Sequence, residues 1–323
     1  MLDTQTQKRQ AKGFHLIYAA AVAARPVHWI KNLAIFAPLF LSGNFFDIEL
    51  FTKTFWAFIV FCFVTSATYI INDVFDRKVD LMHPTKRFRP IACGLIPVSL
   101  AITEAIVLLA GAFIAASIGG LDHFFTSIIL FYLVMQFLYS LFLKNVAILD
   151  IMLIAAGFVL RVYAGAIVIN SHISVWFLLC VISVALFLAS GKRRAELNTV
   201  GAVDTTRKSL IAYKKGLLNS YVTMFGAASW LSWSLFTFFE SPRASLPVWL
   251  VLAELSKTTT VGKLLMLTIP VAIFGIMRYE SLIFQDRSER PEKLILKDKS
   301  LIAAVITWIL LIFWVLYSGI TVI

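Results

Sequence analysis

Cysteine is scarce and shows no pattern: Cys62, Cys93 and Cys180 are the only three in 323 residues, and none has a His or Cys partner at metal-ligand spacing. That excludes a disulfide framework and a thiolate metal site, and it leaves structural thiols. Charge is also sparse, at 15% of residues. Heptads, low-complexity tracts, a Gly-rich phosphate loop and a nucleophile elbow are all missing. What fills the chain is apolar, with 60% hydrophobic residues and a mean hydropathy of +0.86, which excludes a soluble globular domain.

Spans of about 20 apolar residues suit a bilayer core. Nine segments qualify: 16–42, 51–75, 98–118, 121–142, 146–170, 174–194, 217–239, 263–284 and 300–321. A short amphipathic piece near 247–255 is expected in the interface. The first segment is too long and interrupted for a cleaved signal peptide and is expected to remain. The fold class is therefore all-α, a polytopic membrane bundle of nine helices in one domain, 1–323, which includes a basic cytoplasmic tail over 1–15.

The 29 Lys and Arg residues set the orientation. One set of connections carries most of them, from Lys8, Arg9 and Lys12 through Arg77–Arg89, Lys144, Lys192–Lys215 and Arg278–Lys299. The opposite set holds only Arg243, Lys257 and Lys263. The positive-inside rule places the N-terminus inside and the C-terminus outside. Topology accounts for much of the +11 net charge, and no aromatic-basic pattern points to nucleic acid.

The second segment runs into Asn72-Asp73-Val74-Phe75-Asp76-Arg77-Lys78-Val79-Asp80. At 100° per helical residue, Asn72, Asp73, Asp76 and Asp80 fall at roughly 0°, 100°, 40° and 80°, a single quadrant. Like charges so close are tolerated when a cation joins them. Hard oxygens favour Mg²⁺, which takes one or two carboxylates and completes its shell with water and phosphates. A solvated acidic helix end is the plainer reading, because Arg77 and Lys78 lie between the aspartates. Beyond Asp80, Pro84 is expected to end the helix, and Lys86, Arg87 and Arg89 follow. Carboxylates beside guanidinium groups suit a metal-bound polyphosphate, and a positive-inside anchor is the alternative. His83 either touches substrate or serves as a local hydrogen-bonder.

Three other segments bring polar groups. In the first, Arg25, His28 and Asn32 share a helical face, with Lys31 beside them. Tyr139 and Lys144 precede the fifth, which carries Asp150 early and Arg161 at mid-membrane depth between Gly157 and Gly165. An arginine there is expected to face the interior and meet a carboxylate or an anionic ligand, while the glycines admit a close neighbour. The sixth ends in Lys192, Arg193 and Glu196, where Lys192 and Glu196 are i,i+4 neighbours.

Taken together, Asn-Asp-x-x-Asp-x-x-x-Asp at the end of the second of nine helices resembles the signature of the UbiA-type membrane prenyltransferase superfamily. More narrowly, the segments around Arg25–Asn32, Asn72–Gly94, Asp150–Gly165 and Gly191–Leu197 resemble its decaprenyl-phosphate phosphoribosyltransferase branch. The likeness runs from Arg25 to the last helix. It implies Mg²⁺, or Mn²⁺ in its place, on Asp73, Asp76 and Asp80. It also implies phosphoribosyl pyrophosphate as donor and a polyprenyl phosphate as acceptor. Candidate substrate contacts are Arg25, Lys31, Asn72, His83, Lys86, Arg87, Arg89, Tyr139, Lys144, Arg161, Lys192, Arg193 and Glu196. A bacterial cytoplasmic membrane, a site facing the cytoplasm and a place in cell-envelope biosynthesis go with it.

One departure from the broader superfamily bears on the donor. Its members that alkylate aromatic acceptors carry a second Asp-x-x-x-Asp set, whereas residues 185–215 offer only Glu196 and Asp204. Lys192 and Arg193 stand there and suit a further phosphate. Prenyl transfer to an aromatic acceptor remains the nearer alternative, and a transporter using Arg161 the farther one.

Overall fold

The computed structural model describes residues 13–83, 85–199, 212–240, 261–285 and 297–318, and no strand occurs among them. The tail over 1–12, the piece near 247–255, Pro84 and Asp204 lie outside the described residues. Helices α1 (Gly13–Ala24), α2 (Ala37–Leu41), α3 (Ile48–Met82), α4 (Val98–Ile118) and α5 (His123–Leu141) form the first half. Helices α6 (Leu149–Val168), α7 (Val175–Thr199), α8 (Lys215–Phe239), α9 (Ile269–Phe284) and α10 (Lys299–Tyr317) complete it. Among the described residues, eight helices are long and apolar enough to cross a membrane, counting α9 with the turn that leads into it from Leu264.

The first expected span, 16–42, is not one helix. It divides into α1, a 3₁₀ run over Pro26–Phe36, and α2. Pro26 is the cause: it disfavours right-handed helix at the residue before it, and Arg25 takes the left-handed region at φ 53°. The resulting 11-residue 3₁₀ run is long for its type, and tertiary contacts hold it. Closest is Gly165 on α6, where an added Cβ would lie 1.9 Å from the Ile35 carbonyl oxygen. The expected close approach at Gly165 is therefore real. Gly157 differs, since a Cβ there would meet only side chains, nearest Arg161 Nη1 at 3.4 Å.

Helix starts follow their caps. Asp47, Asp122 and Asp298 accept hydrogen bonds from the amides of Leu50, Phe125 and Leu301 at 3.0, 2.9 and 2.8 Å. Helix α3 has 35 residues, about 52 Å at the usual rise. That exceeds the roughly 30 Å of a hydrocarbon core, so its polar last turns can continue as helix beyond the lipid tails. It stops at Met82, and His83 is extended, as a residue before proline should be. Helix α3 packs on α4, and α7 packs between α6 and α8. Phe61, Phe125 and Tyr132 fill the core between α3 and α5 with edge-on aromatic contacts.

Candidate active site

The last turns of α3 bring their carboxylates together as the helical spacing predicts, and each meets a cation. Asp73 is 2% exposed and accepts from Arg25 Nη2 at 2.5 and 2.6 Å and from Arg89 Nη1 at 3.0 Å. The same Arg89 nitrogen lies 2.6 Å from Asp80, which is also buried. Asp76 accepts from Lys144 Nζ at 2.5 Å and from the Asn72 amide at 3.1 Å. These cations come from three separate places. Arg25 arrives through the left-handed kink ahead of Pro26 and lies over the Tyr69 ring. Arg89 follows the 3₁₀ turn Lys86–Phe88, and Lys144 sits in the turn between α5 and α6. Like charges thus alternate with opposite ones, which allows three carboxylates to crowd together.

Other predicted residues sit around this cluster with different partners. His83 Nδ1 accepts from the amides of Thr85 and Lys86 at 3.2 and 3.3 Å, so it orders the turn. Arg87 is exposed and lies over the Phe88 ring, 4.8 Å from its centre. Lys31 lies on the 3₁₀ run, and Lys192 in the last turns of α7. The face expected to unite Arg25, His28 and Asn32 survives in part: Arg25 and His28 both lie against the Tyr69 ring, and Asn32 is separated from them. Arg25 reaches Asp73, His28 lies beside the Tyr69 ring, and Asn32 is buried against Cys62 and Thr65.

Arg161 is 5% exposed and is held by neutral acceptors. Its guanidinium donates to Asn32 Oδ1 at 2.7 Å, the Gly157 carbonyl at 2.5 Å and the Tyr132 hydroxyl at 3.0 Å. Phe61, Tyr132 and Phe158 present ring faces to it. Of the two partners expected from sequence, a carboxylate or an anionic ligand, the carboxylate is replaced by dipoles and π-faces, which a fork with several donors can gather from three segments.

Arg193 is also withdrawn from solvent. Its side chain is fully buried, with Nε 2.5 Å from Asp150 Oδ2, a second ion pair to Glu196, and Nη2 3.0 Å from the Tyr139 hydroxyl. Glu196 therefore pairs at i,i+3 with Arg193. Tyr213, which sequence reasoning passed over, donates to Asp150 Oδ1 at 2.7 Å and accepts from the Ile148 amide at 2.6 Å. Asn219 was also missed; it accepts from Arg194 at 2.6 Å. Neither belongs to a motif, and each meets its partner only through the packing of α6, α7 and α8.

The donor set at Asn72, Asp73, Asp76 and Asp80 is all hard oxygen. Among the described residues, no group of three or more His, Cys, Asp or Glu forms a ready-made metal cage. One or two carboxylates facing cationic neighbours suit Mg²⁺ arriving with a phosphate better than a bare ion. Deeper in the bundle, an apolar cavity of about 440 Å³ is lined by residues including Phe158, Val162, Trp233, Tyr279, Ala304 and Trp308.

The structure is a helical membrane bundle with a carboxylate–cation cluster at one end. The profile of the UbiA prenyltransferase family matches residues 32–293, and the chain belongs to that family. It is 33% identical over 304 residues to the decaprenyl-phosphate phosphoribosyltransferase of Mycobacterium tuberculosis, covering 91% of this chain and 93% of that one. The enzyme of the same name from Corynebacterium glutamicum is 32% identical over 301 residues, covering 91% and 86%. Among solved structures, a UbiA homolog from Archaeoglobus fulgidus bound to GPP and Mg²⁺ superposes with a TM-score of 0.67 at 17% identity, over 94% of this chain and 100% of that one. The same homolog has been solved bound to Cd²⁺. At that identity the likeness supports the shared fold.

Proposed function

We propose that this protein transfers a 5-phosphoribosyl group from phosphoribosyl pyrophosphate to the phosphate of a polyprenyl phosphate lipid and releases pyrophosphate. The observation that carries the reading is the interleaving of Asp73, Asp76 and Asp80 with Arg25, Arg89 and Lys144 at one end of a membrane bundle. Such a cluster suits two anionic substrates and a divalent cation together. The names of relatives that match most of the chain support the same donor and acceptor.

Asp73 and Asp76 would hold Mg²⁺, with Asp80 joining through water. When bound, the ion supplies positive charge against the leaving pyrophosphate. Arg25, Arg89 and Lys144 orient the donor's phosphates and stabilise the charge that grows on them as the C1–O bond breaks. The attacking phosphate oxygen is ionised near neutral pH, so the protein has no proton to remove. Its task is alignment and electrostatics. The apolar cavity lined by Trp233 and Trp308 suits part of the lipid chain. The Lys and Arg distribution supports a cytoplasmic site, and the likeness to bacterial relatives supports a cytoplasmic membrane and a role in cell-envelope biosynthesis.

The test is to supply membranes with labelled phosphoribosyl pyrophosphate and polyprenyl phosphate and then extract lipid. Label in the lipid fraction that requires both substrates and disappears with EDTA is expected. Lipid labelled only from an isoprenoid diphosphate would overturn the reading in favour of prenyl transfer.

A further inference from the structure

The turn between α5 and α6 contains a backbone conformation that its residue type resists. Ile148 lies at φ 71° and ψ −50°, and a β-branched side chain at positive φ is a steric outlier. The chain reverses there, between Leu141 at the end of α5 and Leu149 at the start of α6, while Lys144 stays 8% exposed with its Nζ against Asp76. Such a conformation persists only where its surroundings over-determine it.

Tyr213, Asp150 and Arg193 supply that constraint. Tyr213 accepts the Ile148 amide at 2.6 Å and donates to Asp150 Oδ1 at 2.7 Å, bridging the strained residue to the first turn of α6. Asp150 Oδ2 lies 2.5 Å from Arg193 Nε, and Arg193 reaches the Tyr139 hydroxyl near the end of α5 at 3.0 Å. Both ends of the turn are thus tied to α7, with Lys144 between them. Burial and the neighbouring Asp150 carboxylate push the Tyr213 hydroxyl above the ordinary phenol range, so it stays protonated as a donor.

We infer that Tyr213 is a positioning residue, which clamps the strained Ile148 turn so that Lys144 is presented to Asp76 and to the donor's phosphates. The part played by the donor rests on the function proposed above; the clamping of the turn does not.

The experiment uses the full chain in lipid nanodiscs with Tyr213→Phe, Ile148→Gly and the double variant. Phenylalanine keeps the ring and removes both hydrogen bonds. Glycine accepts positive φ without steric cost, so it should free the turn from its dependence on the clamp. In Tyr213→Phe, amide exchange over residues 143–149 should accelerate at least about tenfold, with α3 and α4 unchanged and the unfolding midpoint close to wild type. The apparent KM for phosphoribosyl pyrophosphate should rise about fivefold with kcat within about twofold, and adding Ile148→Gly should bring KM back to within about twofold of wild type. Unchanged exchange in Tyr213→Phe, or no recovery in the double variant, overturns the inference. If wild type transfers no ribosyl group, the proposed function fails, and the exchange comparison alone decides the clamp.

Discussion

Lys144 Nζ stands 2.5 Å from Asp76 Oδ1, joining the turn between α5 and α6 to the last turns of α3 across 68 positions of sequence. That pair, with Arg25 and Arg89 on Asp73, fixes where charge can gather at this end of the bundle. Under the proposed function, the same cations would hold a substrate phosphate in place of a carboxylate, which gives them two alternative partners.

From this arrangement, Asp73→Asn and Asp76→Asn should each lower phosphoribosyl transfer more than about hundredfold while leaving folded protein in the membrane. Asp80→Asn should cost less, because its partner Arg89 also holds Asp73 and can keep its place. Transfer assays on purified variants, with unfolding curves beside them, check the ordering. Full activity in either of the first two would remove the metal assignment.

The carboxylate quadrant was legible in the sequence because its geometry is local: helical spacing alone puts Asp73, Asp76 and Asp80 together. Eight of nine span assignments match helices for the same reason, since twenty apolar residues leave few alternatives. The break at Arg25 was signalled by Pro26 but outweighed by the length of the apolar run. Partner choice was less legible. Arg25 meets Asp73 at a separation of 48 residues, and Tyr213 meets Asp150 at 63, distances at which no periodicity carries information. Arg161 shows a further limit: a buried charge announces the need for partners, yet neutral dipoles surround it where a carboxylate or an anionic ligand was expected.

The two glycines of α6 make opposite predictions. Gly165→Ala would drive a Cβ to 1.9 Å from the Ile35 carbonyl oxygen, and backbone on both sides leaves little room to yield. A loss of about 3 kcal/mol in stability is expected. Gly157→Ala meets only side-chain atoms at 3.4 Å or more and should stay within about 1 kcal/mol of wild type. Thermal unfolding of both in the same lipid distinguishes them, and equal effects would remove the close approach of the 3₁₀ run to α6.

Orientation can be read independently of chemistry. Reporter fusions after Lys86, Lys208 and Arg290 should read cytoplasmic, and one after Ile323 external. The external signal requires the broken first segment to cross in addition to the eight helices α3–α10, and a cytoplasmic signal from the last fusion would remove that ninth crossing. It would also take away the charge argument for a cytoplasmic site.

Arg161 offers a test in which the smaller chemical change should do the greater harm. Arg161→Lys keeps the charge in the interior but loses the fork that reaches Asn32, Gly157 and Tyr132 together, leaving an ammonium poorly matched to its acceptors. Arg161→Met removes the charge. Tyr132 then keeps its bond from Gln136 at 3.0 Å, and the Asn32 amide still reaches Thr65 at 3.3 Å, so Asn32 Oδ1 is the main acceptor deprived. An unpaired charge in an apolar interior costs more than one unsatisfied carbonyl. Arg161→Lys should therefore lose about 2 to 3 kcal/mol and Arg161→Met about 1 to 2, with neither loss sensitive to salt because the site is buried. Unfolding midpoints at two ionic strengths measure both. If Arg161→Met is worse, and worse in activity than in stability, the positive charge itself is required, and Arg161 belongs with the anion-binding residues rather than with those that hold the first segment against α5 and α6.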